Sequence, residues 1–231
     1  MLSLGPRLKM AADMVRDGVV VADIGTDHAY LPAYLLLKGK VSGAIAADLR
    51  ENPLENARST LVTYGLVDKI PLILSNGLDD LKPNSADDIV IAGMGGTLIV
   101  EILQRCDWIF DNSKRLIIQP MSHSEDVRKF FIQKGFEILK EDATIESDRT
   151  YIAINAVYTG KIFSEYPESF AYIGKLCECE NPVAKEVLKK QATRLKKRAD
   201  SLKSIEKESC EVEQLYTIIS DIERCVENGN S

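Results

Sequence analysis

Residues 22–32 read ADIGTDHAYLP and follow directly on the apolar run Val19-Val20-Val21. A β-branched run that ends in a glycine turn and passes into Tyr30-Leu31-Pro32 opens a nucleotide-binding unit: strand, tight turn, helix. Such turns usually cradle phosphates on glycine backbone amides. Here the place of the second glycine is taken by Asp27, with His28 beside it. A dinucleotide site wants three glycines so that the backbone can approach a pyrophosphate, and this turn offers Gly25 alone. A carboxylate at position 27 would repel phosphate at close range in a partly dry site. It suits a ligand that carries positive charge.

S-adenosylmethionine has a sulfonium and an ammonium and no phosphate, so the turn favours it over NAD. Asp27 can also cap the helix that follows, a common role for Asp at such a position, and the two roles are compatible. Asp23, at the end of the strand, is placed to take the ligand's ammonium or to hold the turn. His28 can shape the ligand's methionine pocket, stack on a base, or be purely structural.

Outward from this turn, residues 4–16 carry apolar side chains at helical spacing. Short apolar runs follow at 19–24, 43–47, 70–74, 88–92, 115–119, 136–141 and 151–157, and helical patterns separate the first five. That alternation predicts a parallel sheet covered on both faces. The last two runs are joined by EDATIESDRT, which has no helical periodicity, and they read as neighbouring strands closing one edge. The expectation for residues 1–158 is an α/β, Rossmann-like domain with seven strands, the last antiparallel. From Asn181-Pro182, a capping residue followed by proline in a first helical turn, two narrow apolar stripes run through Leu188 to Leu202 and Val212 to Val226. They predict an antiparallel helical hairpin in a C-terminal domain, residues 159–231, with one long helix as the alternative.

The chain has 231 residues, with 29 basic against 35 acidic side chains and a net charge of −6. A generic acidic surface does not attract nucleic acid, so a polyanion partner requires a local basic patch. Five cysteines, an odd count without a signal peptide, imply a cytoplasmic protein with reduced, idle thiols. Cys177 and Cys179 have no second pair at zinc-ligand spacing, so no metal is expected. No apolar stretch reaches the roughly 18 residues that cross a bilayer. No membrane association and no obligate protein partner are expected.

Ligands of open parallel sheets bind outside the carboxyl ends of the strands. Asp48 ends the second strand, 23 residues after Gly25; an acid there can accept ribose hydroxyls from either cofactor. Asn76 presents a donor and an acceptor that match an adenine edge, and Gly77 lets the backbone come close, although Asn-Gly alone is a turn signal. Gly93, Met94, Gly95 and Gly96 leave a bare backbone against which a flat base or a methyl donor can lie. A phosphate nest is the competing reading of that turn, but it contains no lysine.

In order and spacing, DIGTDHAYLP, SGAIAADL, SNGL, IAGMGG and LIIQP resemble the bacterial tRNA (adenine(22)-N1)-methyltransferases, the TrmK family, and LSLGPRL resembles that family's LSxRL start. The resemblance spans nearly the whole chain. It departs at Met121, where the family often has Asn after Gln-Pro, and at Asn76, where it often has Asp. It implies a class I methyltransferase fold, S-adenosylmethionine as cofactor, tRNA as partner, and methylation of N1 of adenine 22. N1 carries a lone pair and no proton, so the reaction needs alignment, together with negative charge where the base becomes positive. Asp27 is the candidate catalytic group, accepting from the exocyclic amine. The donor-binding candidates are Asp23, Gly25, His28, Asp48, Asn76, Gly77, Gly93, Met94 and Gly95.

N1 lies on the pairing edge, so the target nucleotide must be unpaired or extruded. Tyr30 can stack on it, or pack on the sheet. Residues 185–203 hold eight basic and two acidic side chains. Lys185, Lys189, Lys196 and Lys203 fall on one flank of the stripe, either as a phosphate track or as a solvated face. Arg7 is a further candidate phosphate contact. The rival readings are a methyltransferase for another substrate, an NAD-dependent oxidoreductase, and a non-catalytic nucleotide-binding regulator.

Overall fold

A computed structural model describes residues 2–162, 166–205 and 210–228. Seven strands form one sheet: β1 (Val20–Ile24), β2 (Gly43–Asp48), β3 (Leu72–Leu74), β4 (Asp88–Gly95), β5 (Arg115–Ser122), β6 (Phe136–Glu146) and β7 (Arg149–Tyr158). Their spatial order is β3-β2-β1-β4-β5-β7-β6. The first five are parallel, and β7 runs antiparallel between β5 and β6. Val21, Ala22, Ile24 and Ile89 to Ile91 are buried without alternation, as strands covered on both faces must be.

Helices α1 (Pro6–Met14), α2 (Tyr30–Leu37) and α3 (Glu51–Thr63) cover one face, where Met10, Ala11, Leu31, Leu35 and Leu61 meet Val21, Val90 and Ile117. Helices α4 (Gly96–Gln104) and α5 (Ser124–Lys134) cover the other. Because β1 to β3 wind one way and β4 returns beside β1, strand order reverses between β1 and β4. That is where a ligand crevice opens.

The stretch EDATIESDRT is not a connection. β6 continues through it to Glu146, and the reversal is confined to Ser147 and Asp148, at φ 48° and 62°. Two successive left-handed residues make the primed turn whose twist matches a hairpin. The long apolar–polar alternation of an edge hairpin hides in a polar sequence because its outer face is solvated.

Beyond β7, Arg128 of α5 and Glu141 of β6 form a buried ion pair through Nε and Nη2, both at 2.8 Å. Arg128 Nη1 also donates to the carbonyl of Ala171 at 3.0 Å, in the short helix α6 (Phe170–Ile173). Asn181 caps α7 (Pro182–Ile205) as expected, its Oδ1 accepting from Val183 N at 3.0 Å. α8 (Cys210–Asn228) packs antiparallel on α7. Arg198 pairs with Glu211 at 2.6 Å, Tyr216 donates to Asp200 at 2.9 Å, and Ala192 shares a groove with Ile222 and Val226. The expected bend lies largely at residues 206–209, outside the described residues. Ala184, Leu188, Leu195, Leu215 and Ile222 belong to the same apolar cluster as the sheet, so the core runs on past residue 158 without a break.

Cys177 and Cys225 are disulfide-bonded, with Cα atoms 5.6 Å apart. This corrects the expectation of five idle thiols: the fold brings together two cysteines separated by 48 residues. Among the described residues, no three His, Cys, Asp or Glu side chains gather to hold a metal ion. No helix among them is long and apolar enough to cross a membrane.

Candidate functional site

At the switch point, a cleft of about 280 Å³ is lined by Arg7, Asp23, Gly25, Asp27, His28, Tyr30 and Gly93, among others. The turn after β1 is pinned to β2: the amides of Gly25 and Thr26 both donate to the Ala47 carbonyl, at 2.8 and 3.0 Å. Gly25 has φ +78°, and a Cβ there would lie 2.0 Å from Met94 Cε. The glycine is therefore required twice, by its dihedral and by the methionine packed against it.

Thr26, not Asp27, satisfies the amide that leads into α2: its Oγ1 accepts from Ala29 N at 3.0 Å. No side chain caps α2, whose N-cap is Ala29; Asp27 makes no capping bond, and its side chain is 70% exposed at the cleft wall. His28 Nε2 lies 3.5 Å from Asp27 Oδ2. The His28 and Tyr30 rings stack with centroids 5.0 Å apart and planes 9° from parallel. Tyr30 does not pack on the sheet; it is exposed.

Asp23 is buried. Burial pushes its carboxyl up to about 6, while a hydrogen bond with Thr26 and the charge of Arg7 oppose the rise and the charge of Asp48 adds to it. Arg7, the further candidate phosphate contact, lines the cleft wall. Its Nη1 donates to Gln119 Oε1 at 2.7 Å. The same nitrogen lies 3.3 Å from where a Cβ on Gly93 would be, so Gly93 leaves room for the guanidinium. Gln119 is fully buried, and its Nε2 donates to the Pro120 carbonyl at 3.1 Å. Met121, at the position where the family departure falls, is exposed, with Sδ 3.9 Å from Gln119 Nε2.

The remaining expected groups ring the same sheet edge without lining this cleft. Asp48 is buried at the end of β2 and accepts from Arg50 N at 2.9 Å. Asn76 is exposed after β3, and its carbonyl accepts from Arg105. Gly77, at φ +68°, packs on Ile102, and Gly95 lies beside Ser122. Lys185, Lys189 and Lys196 all lie on α7. Lys189 and Lys196 line a groove with Glu223 and Glu227 of α8, and Lys185 lines a different one beside the disulfide. A helical-wheel count could not see the acidic partner helix.

A larger groove of about 650 Å³ lies between α5 and the α7–α8 pair. In it Arg198 pairs with Glu211 and Lys129 lies over the Tyr172 ring; unlike the smaller cleft, it does not lie at the point where strand order reverses. Sequence reasoning overlooked three residues: Thr26, Gln119 and Glu146. Gln119 had a readable signal, a lone amide ending an apolar strand run. Glu146, whose Oε2 accepts from Arg7 N at 2.8 Å, had none.

Residues 4–154 match the methyltransferase-domain family model. The chain is 37% identical to the tRNA (adenine(22)-N(1))-methyltransferase of Bacillus subtilis over 150 residues, 65% of this chain and 63% of that protein. It thus spans somewhat less than two thirds of the length of that relative. The crystal structure of the B. subtilis M1A22 tRNA methyltransferase TrmK superposes with a TM-score of 0.83 and 27% identity, covering 100% of both chains. A candidate tRNA (m1A22) methyltransferase of Streptococcus pneumoniae, in complex with S-adenosyl-L-methionine, gives 0.82 and 30%, covering 97% of this chain and 100% of that one. With the switch-point cleft, the glycine turns and the sheet order all in place, the chain belongs to the methyltransferase-domain family and, within it, to the TrmK family of tRNA (adenine(22)-N1)-methyltransferases.

Proposed function

We propose that this protein transfers a methyl group from S-adenosylmethionine to N1 of adenine 22 in tRNA, in the cytoplasm. The observation that carries the proposal is the exposure of Asp27 at the cleft. It makes no helix-capping bond, and its carboxylate stands over a cleft that also holds a buried acid and a cation. That charge set suits a zwitterionic sulfonium ligand and discourages a pyrophosphate.

In this reading Asp23 takes the donor's ammonium, and Arg7, the guanidinium in the cleft, takes its carboxylate, an ion pair Arg is shaped to make. Asp48 accepts the ribose hydroxyls. Asn76 and Gly77 meet the donor's adenine, while Gly93, Met94 and Gly95 form the floor below the transferring group. When bound, the donor supplies an activated methyl group. No residue need remove a proton from N1. Asp27 accepts a hydrogen bond from the exocyclic amine of the target base and stabilises the positive charge that arises there, a preorganised contribution of roughly 3 kcal/mol. His28 and Tyr30, stacked at the rim, offer a flat surface to an extruded base.

Lys185, Lys189 and Lys196 on α7 are the proposed phosphate contacts, with residues 159–231 acting as the tRNA-holding part. The acidic residues of α8 beside Lys189 and Lys196 limit their pull on phosphate. Digesting tRNA from cells with and without the protein and measuring 1-methyladenosine by mass spectrometry tests the proposal. The modified base should vanish from position 22 when the protein is absent; an unchanged level would refute it.

A further inference from the structure

Glu146 ends β6, at the tip of the hairpin that the sheet order places on the same edge as the cleft. The first N–H groups of a helix have no partner within it, and Gly5, at the N-cap of α1, offers no side chain. Glu146 supplies the cap from 139 residues away, accepting Arg7 N at 2.8 Å. Its negative charge also faces the positive end of α1. Gly5 makes the room: a Cβ there would lie 2.9 Å from Glu146 Oε2. At the far end of α1, Asn155 Nδ2 of β7 donates to the Met14 carbonyl at 3.2 Å. The hairpin therefore clamps α1 at both ends, and α1 carries Arg7 into the cleft.

We infer that Glu146 is a positioning residue for the methyl-donor site, holding the first turn of α1 so that the Arg7 guanidinium meets the carboxylate end of the donor. The inference rests on the donor site proposed above. Gln119 holds the tip of the same side chain at 2.7 Å, so backbone and guanidinium are fixed by separate groups. An arginine held at both ends loses little further rotamer freedom when its ligand arrives, which is how preorganisation raises affinity.

Calorimetric titration of the full chain with two ligands tests this. One is S-adenosylmethionine; the other is 5′-methylthioadenosine, which keeps the adenosine and lacks the amino-acid end. Glu146→Ala should weaken the first about tenfold and leave the second unchanged, the size expected for losing a charged-group hydrogen bond. Gly5→Ala, which pushes the same carboxylate aside, should give the same ligand-selective loss. Glu146→Gln, whose amide oxygen still accepts the N–H, should stay within about threefold of wild type. An unchanged affinity for S-adenosylmethionine in both alanine variants, or equal losses of both ligands, would overturn the inference. If Glu146→Ala does not fold, Gly5→Ala and Glu146→Gln decide between the same outcomes. A wild-type chain that binds neither ligand would remove the donor site itself, and the positioning role with it.

Discussion

Two arginines mark the ends of helix α1, Arg7 in its first turn and Arg16 beyond its last, and each lies near a buried aspartate at an opposite edge of the sheet. Beyond its C-terminus, Arg16 meets Asp88 at the start of β4: the backbone amide and Nε each donate at 2.8 Å. Arg16 Nη2 goes on to the carbonyls of Asp87 and Ser113. Asp88 is fully buried there, and every direction around it is closed by protein. At the N-terminal end, Arg7 influences Asp23 by its charge, but it spends a hydrogen bond on Gln119 instead. Asp23 is left buried, pushed up to about 6, and open to the cleft. A buried carboxylate with all its partners inside the protein is architecture. One that also borders a cleft is placed where a ligand could reach it.

The comparison breaks most visibly at Asp88. Asp88→Ala should cost about 3–5 kcal/mol of stability in denaturant melts, because it strands Arg16 and its amide; a loss below about 1 kcal/mol would mean the pair is not structural. Asp27→Ala should leave stability and donor affinity nearly unchanged, yet slow methyl transfer about a hundredfold. Single-turnover assays on tRNA check this, and an undiminished rate would remove Asp27 from the chemistry.

Asp23→Asn should do the reverse of Asp88→Ala. Because the folded carboxyl titrates near 6 rather than at the usual 3.8, its stabilising contribution is full below about pH 4 and is lost as pH rises through about 6. At pH 7 the amide should therefore be at least as stable as wild type, while donor affinity falls about tenfold with the ammonium's partner gone. In the wild type the ionised form is the binding form, so donor affinity should weaken as pH drops below about 6; calorimetry from pH 5 to 8 reads this directly. The smallest effect belongs to Lys189→Ala combined with Lys196→Ala. It should lower tRNA affinity only a few-fold and reduce the slope of log affinity against log salt by about 2 if both touch phosphate. An identical slope would move the RNA surface elsewhere.

The sheet and its ligand edge were legible because both rest on local patterns. Buried parallel strands are short apolar runs, and the glycines sit where the backbone must turn or approach closely. Asp23, Gly25, Asp27, His28, Tyr30 and Gly93 were legible for that reason, and the fold gathers them in one cleft. Arg7 was legible as a charged candidate but not as part of the cleft wall, since its place depends on Gln119 and Glu146, more than a hundred residues away. From the sequence Asp27 could equally be read as a helix cap, whereas in the fold no side chain caps α2.

The residues alone thus determined the layered α/β class, the edge of the sheet where the cleft opens, and the glycine turn that lines it. Each follows from periodicity or from the intrinsic chemistry of neighbours in the chain. Only the tertiary structure decided which acid is closed and which is open, which helix end carries a cation into the cleft, and that Lys189 and Lys196 share their groove with acids. Those outcomes depend on distances between residues remote in the chain, and a one-dimensional pattern carries no such distances.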